Sequence, residues 1–339
     1  MNPQDINTST YLNSLTFAGY SNNIEKTYLD FFKTYEPKSA ILFIERPMGE
    51  SGETTVRLDE QDMSQYAHDK PQGVDARRLE FGDGYYKEIY ANRIGAQLNI
   101  SYEMRVAKRF NIGMAMKRFN ASVPNRQELD RQQFAVTFVN VTSYVNMDGR
   151  TVDMTAGDGL APAYATHPLA FSTVTWNNIV PSNPPLSVTA LEAAQKIAIT
   201  DILDNYGLPV EMTFTHLVVN KQDPQTCRVA REILRSTTLI TQANPGVINT
   251  FSQMYELLEL PLAATNALGQ QDSTKYRWWS IHALTGLNRV QMYECNWEYA
   301  HMTPGFQDPY NDDYIWGARA RYAFGRVSAR GQIYSLPTS

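Results

Sequence analysis

Hydrophobic and polar positions are spread unevenly along this chain. Residues 2–23 are rich in Asn, Ser and Thr, with isolated apolar positions. Ile24, Tyr28, Phe31 and Phe32 then share one side of a short predicted helix over 24–35. Residues 1–40 read either as an arm that needs another surface or as a frayed terminus. Ser39–Glu45 reads as a short apolar strand ended by Pro47. The stretch 49–78 is polar and extended, and so long a polar stretch inside a compact domain is either functional or disordered. Leu79–Ile100 reads as strands. Phe81-Gly82-Asp83-Gly84-Tyr85 supplies turn chemistry, and Tyr86, Glu88 and Tyr90 alternate with Lys87, Ile89 and Ala91. Together these segments are expected to form a long two-stranded excursion projecting from a body.

The pattern changes after Ile100. Tyr102–Phe119 reads as a helix weakened by Gly113, and Val123-Pro124 reads as the first turn of a second helix running to about Val141. Residues 148–166 hold Gly149, Gly157, Gly159 and Pro162 and read as loop or hairpin. Thr189-x-x-Glu192 has the spacing of a capping box, with Gly207 as the helix stop. Met212–Val219 reads as a strand, and Asp223-Pro224 as an N-cap with Pro at the first helical position. Strands are expected at 253–260, 275–281, 290–299 and 314–326.

Composition narrows the function classes. The 339 residues suffice for two or three compact regions, and 43% apolar against 19% charged residues is a soluble globular balance. The 20 Tyr and 14 Phe either fill cores or serve interfaces. A net charge of −5, with the positive residues scattered, argues against sequence-specific DNA reading. No run of about 18 apolar residues predicts a membrane span, and the first 20 residues lack a secretory pattern. Cytoplasmic synthesis is expected. Cys227 and Cys295 allow one disulfide without locating it, and Cys227 on its helical pattern reads better as a buried apolar residue.

Catalytic motifs are sparse. Neither a phosphate-binding Gly-x-x-x-x-Gly-Lys loop, nor a dinucleotide fingerprint, nor a nucleophile elbow occurs. Gly82-Asp83-Gly84 and Gly157-Asp158-Gly159 read as turns. His68, His167, His216, His282 and His301 have no metal-ligand spacing. His167 would serve as a general base only with a partner such as Asp158 within hydrogen-bond reach. Asp308, Asp312 and Asp313 could supply Ca²⁺ ligands, but read better as a solvated loop. No catalytic, cofactor or metal site is assigned.

The order of several segments carries a resemblance. Leu98-Asn99-Ile100-Ser101-Tyr102-Glu103-Met104 comes first, then Asp148-Gly149 and the loop with His167-Pro168-Leu169-Ala170. Asn177-Asn178, Leu186–Ala194, Gly207-Leu208-Pro209, His216-Leu217-Val218-Val219 and Ala230–Ser236 follow. Over some 240 residues this order resembles the major capsid proteins of tailed phages, and most closely the Mu-like head subunits. The resemblance implies an α+β protein with the Hong-Kong-97-type capsid fold. It implies an N-terminal arm (1–40), an extended loop with flanking strands (41–100) and a peripheral domain with a long spine helix (101–168). It further implies an axial α/β domain (169–304) and a return strand with the C-terminus (305–339). The implied function is a major capsid protein that self-assembles through hexamers and pentamers into an icosahedral shell around double-stranded DNA. Because one chain must then fit both rings, the resemblance implies hinges between regions, with Pro47, Gly95 and Gly149 as candidates. The implied partners are its own copies, with scaffold, portal and decoration proteins as further candidates and packaged DNA contacted non-specifically. The implied location is the virion, after assembly in host cytoplasm. Phe31, Arg57, Arg77, Arg78, Tyr85, Tyr86, Trp278 and Trp279 are the expected interface residues. An encapsulin-like compartment of the same fold, and a monomeric α/β enzyme using the His167 loop, are the alternatives.

Overall fold

The structure is a computed structural model and describes residues 37–48, 54–63, 67, 69–76, 78, 81–107, 112–236, 248–286 and 289–338, with position 26. The expected helix over 24–35 lies outside these residues. The described elements are strands β1 (Ile44–Pro47), β2 (Thr55–Met63), β3 (Phe81–Tyr90) and β4 (Asn92–Ile100), then helices α1 (Tyr102–Ala107) and α2 (Ile112–Gln132). Short strands β5 (Ser143–Val145), β6 (Thr151–Asp153), β7 (His167–Pro168) and β8 (Thr175–Trp176) follow. The chain continues through α3 (Val188–Thr200), β9 (His216–Asn220), α4 (Pro224–Arg235), β10 (Glu256–Leu260) and β11 (Trp279–His282). It ends with β12 (Met292–Gln307), β13 (Tyr314–Arg326) and β14 (Gln332–Ser335).

Two four-stranded sheets organise the molecule. The first has the order β1-β12-β13-β4, with β1 parallel to β12 and the other pairs antiparallel. The second has the order β10-β9-β11-β14, with β10 parallel to β9 and the rest antiparallel. Helices α3 and α4 cover the second sheet, burying Leu191, Ala194, Ile197, Ala230 and Ile233 against Leu217, Val219 and Ile281. Both fully polar-capped starts are local. Ser187 accepts the N–H of Ala190 at the start of α3, and Asp223 accepts that of Gln225 ahead of Pro224 in α4.

α2 is the spine. It lays Phe119 and Val123 on Trp316, Ala318, Ala320 and Tyr322, the inward row of the alternating strand β13. Its far end seats by charge. Arg131 grips Glu294 with two bonds of 2.7 Å, and Gln127 donates to the same carboxylate at 2.6 Å. Tyr322 hydroxyl donates to Asp130 at 2.7 Å. The helix then widens into a π turn over Gln133–Thr137, marked by the Phe138 N–H reaching the Gln133 carbonyl. That turn bridges the sheets. Phe134 packs with Phe43 and Phe324 on one side, while Thr137 donates to the Ala263 carbonyl beyond β10 on the other.

Several expectations need correction. The strand expected at Ser39–Glu45 starts later, at Ile44, because residues 40–42 make a single 3₁₀ turn that buries Leu42. Pro124 does not open a new helix. It sits inside α2, buried, with the Ser122 hydroxyl donating to the Phe119 carbonyl in the turn where the proline N–H is missing. The α3 cap is Ser187, not Thr189, because Ser187 has the extended backbone that a cap requires. α3 also stops at Thr200, short of Gly207. Asp204 diverts the chain by accepting the N–H groups of Tyr206 and Leu208, and Gly207 takes its positive φ of 87° in that turn. Pro47 and Gly95, offered as hinges, are both paired within the first sheet, opposite Asn296 and Arg319. The expected strand 314–326 and the Asp223-Pro224 helix start stand as read.

Removing one member of a buried ion pair strands the other charge, at a cost of about 3–5 kcal/mol. Glu294→Ala is therefore expected to lower unfolding free energy by about that amount, read as a shifted denaturation midpoint in urea. An unchanged midpoint would remove the pair from the docking of the spine.

Candidate assembly surface

The two-stranded excursion exists, but its base does not project freely. β2 and β3 pair antiparallel, with Val56 opposite Ile89, Arg57 opposite Glu88 and Asp59 opposite Tyr86. Alternation gives the hairpin two faces. Its inner face buries Val56, Leu58 and Ile89 against Cys295, Trp297, Ala323 and Val327 of the first sheet and its C-terminal extension. Both cysteines are free and buried, so they are not a disulfide pair, and burial pushes the Cys295 thiol up to about 11.

Polar contacts latch this inner face further along. Glu60, itself buried, pairs with Arg330 at 2.5 Å, and Arg330 also donates to Asn205 at 2.7 Å. Lys87 reaches Asp153 at 2.5 Å and bonds Thr155. Partial burial alone raises the Asp153 carboxyl, but the hydrogen bonds from Lys87 and Thr155 outweigh it and hold that carboxyl below its usual value. Burial pushes the Tyr85 phenol up, with the Asp158 carboxylate adding to the effect.

The glycines read as a turn at 82–84 prove to be strand residues. A Cβ on Gly84 would lie 2.8 Å from the Asn205 amide, and one on Gly82 would lie 2.6 Å from the Phe171 ring. Glycine here permits a close approach within the strand. Gly157 does likewise: its Cβ would sit 2.7 Å from the Val327 carbonyl and 2.8 Å from the Tyr85 Cβ. Gly159, at φ 79°, supplies the turn itself.

The outer face is different in kind. Arg57, Asp59, Tyr86, Glu88 and Tyr90 are all exposed there, Tyr86 by 52% and Tyr90 by 59%. The Arg57 guanidinium lies 4.1 Å over the Tyr86 ring and donates to Asp59 at 2.5 Å. That hydrogen bond, with the Asp59 charge, raises the Arg57 pKa despite a small opposing desolvation. The cation is thus held flat on an aromatic in solvent, and aromatic rings with arginine are what protein interfaces enrich.

The expected interface residues are therefore dispersed. Arg57 and Tyr86 meet on the outer face. Tyr85 points to the inner side, half-buried. Arg78 is exposed near the hairpin's far end. Phe31 and Arg77 lie outside the described residues. Trp278 and Trp279 belong to the second sheet's surroundings. Trp279 is buried in that core with its indole donating to the Pro184 carbonyl, so it offers no surface, and Trp278 is half-buried.

Sequence reasoning missed Tyr90 as a surface residue, although its alternation with Tyr86 and Glu88 carried the signal. It also missed Tyr299, Phe306 and Tyr310 along β12 and its turn, the last 93% exposed. In that turn the acidic residues are structural. Asp308 accepts the Tyr310 N–H, and Asp313 accepts from Asn99 and from the Tyr102 N–H. Among the described residues no group of three His, Cys, Asp or Glu side chains is placed to hold a metal.

The His167 loop meets one catalytic condition and fails another. Its Nδ1 lies 2.6 Å from the Asp158 carboxylate, as a general base would need. The imidazole, however, is fully buried and stacked 4.4 Å from the Trp176 ring. A base at that position has no route to a substrate, and the pair serves to close the loop.

Comparison with solved structures places this fold. The chain superposes on the mature capsid of bacteriophage PhiM1 with a TM-score of 0.51 at 11% identity, covering 89% of this chain and 87% of that one. It superposes on the capsid of cyanophage P-SCSP1u with a TM-score of 0.53 at 9% identity, covering 88% and 87%. No protein-family model and no curated protein matches the sequence. The mixed helix-and-strand architecture is the Hong-Kong-97-type capsid fold.

The latch makes a specific demand. Arg330→Ala leaves the Glu60 carboxylate buried and unpaired, a penalty of about 3–5 kcal/mol. Amide hydrogen exchange across 55–60 and 84–90 is expected to accelerate at least tenfold, while α3 and β9 amides change less. Uniform acceleration across the chain would mean that Arg330 supports global stability and not the hairpin's seat.

Proposed function

We propose that this chain is a major capsid protein of the Mu-like head-subunit type, which self-assembles through hexamers and pentamers into an icosahedral shell enclosing phage double-stranded DNA. The observation that carries the reading is the two-faced hairpin on this fold. Its inner face is latched to its own subunit, while its outer face displays Arg57, Tyr86 and Tyr90 exposed, with no other element packed on them among the described residues. The superposition of the whole chain over nearly nine-tenths of two phage capsid chains supports the same reading.

The division of labour follows from the elements. In this reading the peripheral domain takes the spine helix with the first sheet, and because that sheet includes β12 to its end at Gln307, we propose a boundary with the axial domain near 290 in place of 304/305. The axial domain comprises the second sheet with α3 and α4, and it takes back the last strand, β14, from the C-terminal segment. Residues 1–40 act as the arm, and the hairpin's outer face docks on a neighbouring subunit. Many such contacts per subunit sum to an obligate interface, commonly above about 2,000 Å², and rotational symmetry closes the rings. The net negative charge suits a wall that touches packaged DNA without binding it tightly. Scaffold, portal and decoration proteins are further partners in this reading, with assembly in host cytoplasm.

Deleting residues 50–78 would strip Val56, Leu58 and Glu60 from the buried face, so loss of assembly would follow from misfolding alone. The combination Arg57→Glu, Tyr86→Ser and Tyr90→Ser touches only exposed groups. Electron microscopy of the purified wild-type chain is expected to show closed shells, rings or sheets. The triple variant is expected to keep its circular dichroism spectrum and lose those particles. A wild-type chain that stays monomeric at high concentration would overturn the shell reading, and intact particles in the triple variant would overturn the outer face as the docking surface.

A further inference from the structure

Arg326 ends β13 at the seam where the two sheets and the π turn meet, and it is fully buried. It stands opposite Met292 in the first sheet. One guanidinium nitrogen, Nη2, lies 3.3 Å from the Phe134 carbonyl and 3.0 Å from the Met292 sulfur. The other two, Nε and Nη1, have no hydrogen-bond partner among the described residues, and the guanidinium lies 5.2 Å over the Phe134 ring. Among the described residues no carboxylate forms an ion pair with Arg326, and the one ionisable group that favours its charge is the Tyr334 phenol. Arginine cannot escape this by losing its proton. A buried charge without a counter-charge costs far more than one bond to a carbonyl returns.

Two more unsatisfied donors belong to the same seam. Gln332, fully buried, uses its side-chain carbonyl to accept from the Tyr334 hydroxyl and leaves its amide nitrogen unpaired. His282 stands directly opposite Gln332 across the β11–β14 pair, also fully buried. Its Nε2 lies 2.8 Å from the Ser280 hydroxyl and its Nδ1 is unpaired. Burial pushes this imidazole down to about 3, with the charges of Arg326 and His216 acting in the same direction, so it is neutral at pH 7. In the tautomer in which Ser280 donates to Nε2, the ring proton sits on Nδ1 as a further donor. The rings of His282 and Tyr334 are 6.2 Å apart, and Arg326 acts electrostatically on both.

We propose that Arg326, Gln332 and His282 hold a buried monovalent anion of the halide class, with chloride as the physiological ligand. The charge count selects the class. One guanidinium with neutral donors balances a single negative charge, whereas a sulfate or a doubly charged phosphate would leave an excess. A carboxylate from a neighbouring chain is excluded by depth, because none of the three side chains reaches the surface. The anion binds to residues of both sheets and so ties them together at the end of the spine. This inference rests on the subunit alone and stands whether or not the chain builds shells.

The test is thermal unfolding of the full chain, at one protein concentration and constant ionic strength, with chloride exchanged for gluconate. Above the dissociation constant, each tenfold rise in chloride is expected to raise Tm by about 2 °C. Arg326→Met is expected to abolish that dependence. An equal response in the variant, or no response in the wild type, would overturn the proposal. Should Arg326→Met fail to fold, anomalous scattering from wild-type crystals grown in bromide decides independently. A bromide peak within hydrogen-bond reach of Arg326 Nη1 and Gln332 Nε2 supports the site, while water alone at that position overturns it.

Discussion

The rest of the structure depends on how one carboxylate is held. Glu294 lies on the first sheet, in β12, and the spine helix reaches it with Arg131 and Gln127. That grip fixes the rotation of α2 about its own axis. Once the rotation is set, Phe119 and Val123 must face the β13 row, and the π turn must present Phe134 to the seam and Thr137 to the loop beyond β10. A hydrophobic contact alone would allow the helix to roll by a few residues. A two-pronged guanidinium–carboxylate contact permits one geometry. The two sheets then meet across a shared cluster containing Leu42, Phe134, Val218, Leu260 and Met292, drawn from segments more than 200 residues apart.

The legible and illegible parts of this fold divide along physical lines. Strand β13 was legible end to end because one of its faces is buried by the spine and the other is not, which writes a period of two into the sequence. The start of α4 was legible because Asp-Pro states a cap and a first turn within two residues. Pro124 misled because its meaning depends on context. A proline inside a helix is tolerated once tertiary packing covers the cost, and here both Val123 and Pro124 are buried. Gly82 and Gly84 misled for a related reason. Glycine signals equally a turn and a close approach, and only the position of Asn205 and Phe171 distinguishes them. The Glu60–Arg330 pair was beyond reach altogether, since 270 residues separate its members.

The same limit governs the candidate surface. Arg57 and Tyr86 were chosen for their chemistry and are brought together by the register of the hairpin. Trp279 was chosen on the same grounds and turned out to be core, because an aromatic residue in a strand of an α/β sheet is buried on both faces. What separates the two cases is partnership. The second sheet has helices to cover it, and among the described residues no element covers the hairpin's outer face. The expected two strands pair as the β2–β3 hairpin, and its base is kept by the subunit for itself.

That division gives the hairpin a mechanical character. A strand pair standing alone is marginally stable in water, so an arm meant to position a docking surface needs an anchor within its own chain. Here the anchor uses a buried ion pair, a half-buried lysine tether and glycines that let backbone lie on backbone. Buried pairs contribute little net stability compared with apolar packing, but they penalise every misaligned alternative heavily. Each of the buried arginines at a junction follows that logic: Arg131 sets the spine and Arg330 sets the hairpin. Arg326, at the seam between the sheets, has no carboxylate partner among the described residues. There Arg131 and Arg330 are matched with acids, and the proposed anion would supply Arg326 with the counter-charge that they take from Glu294 and Glu60.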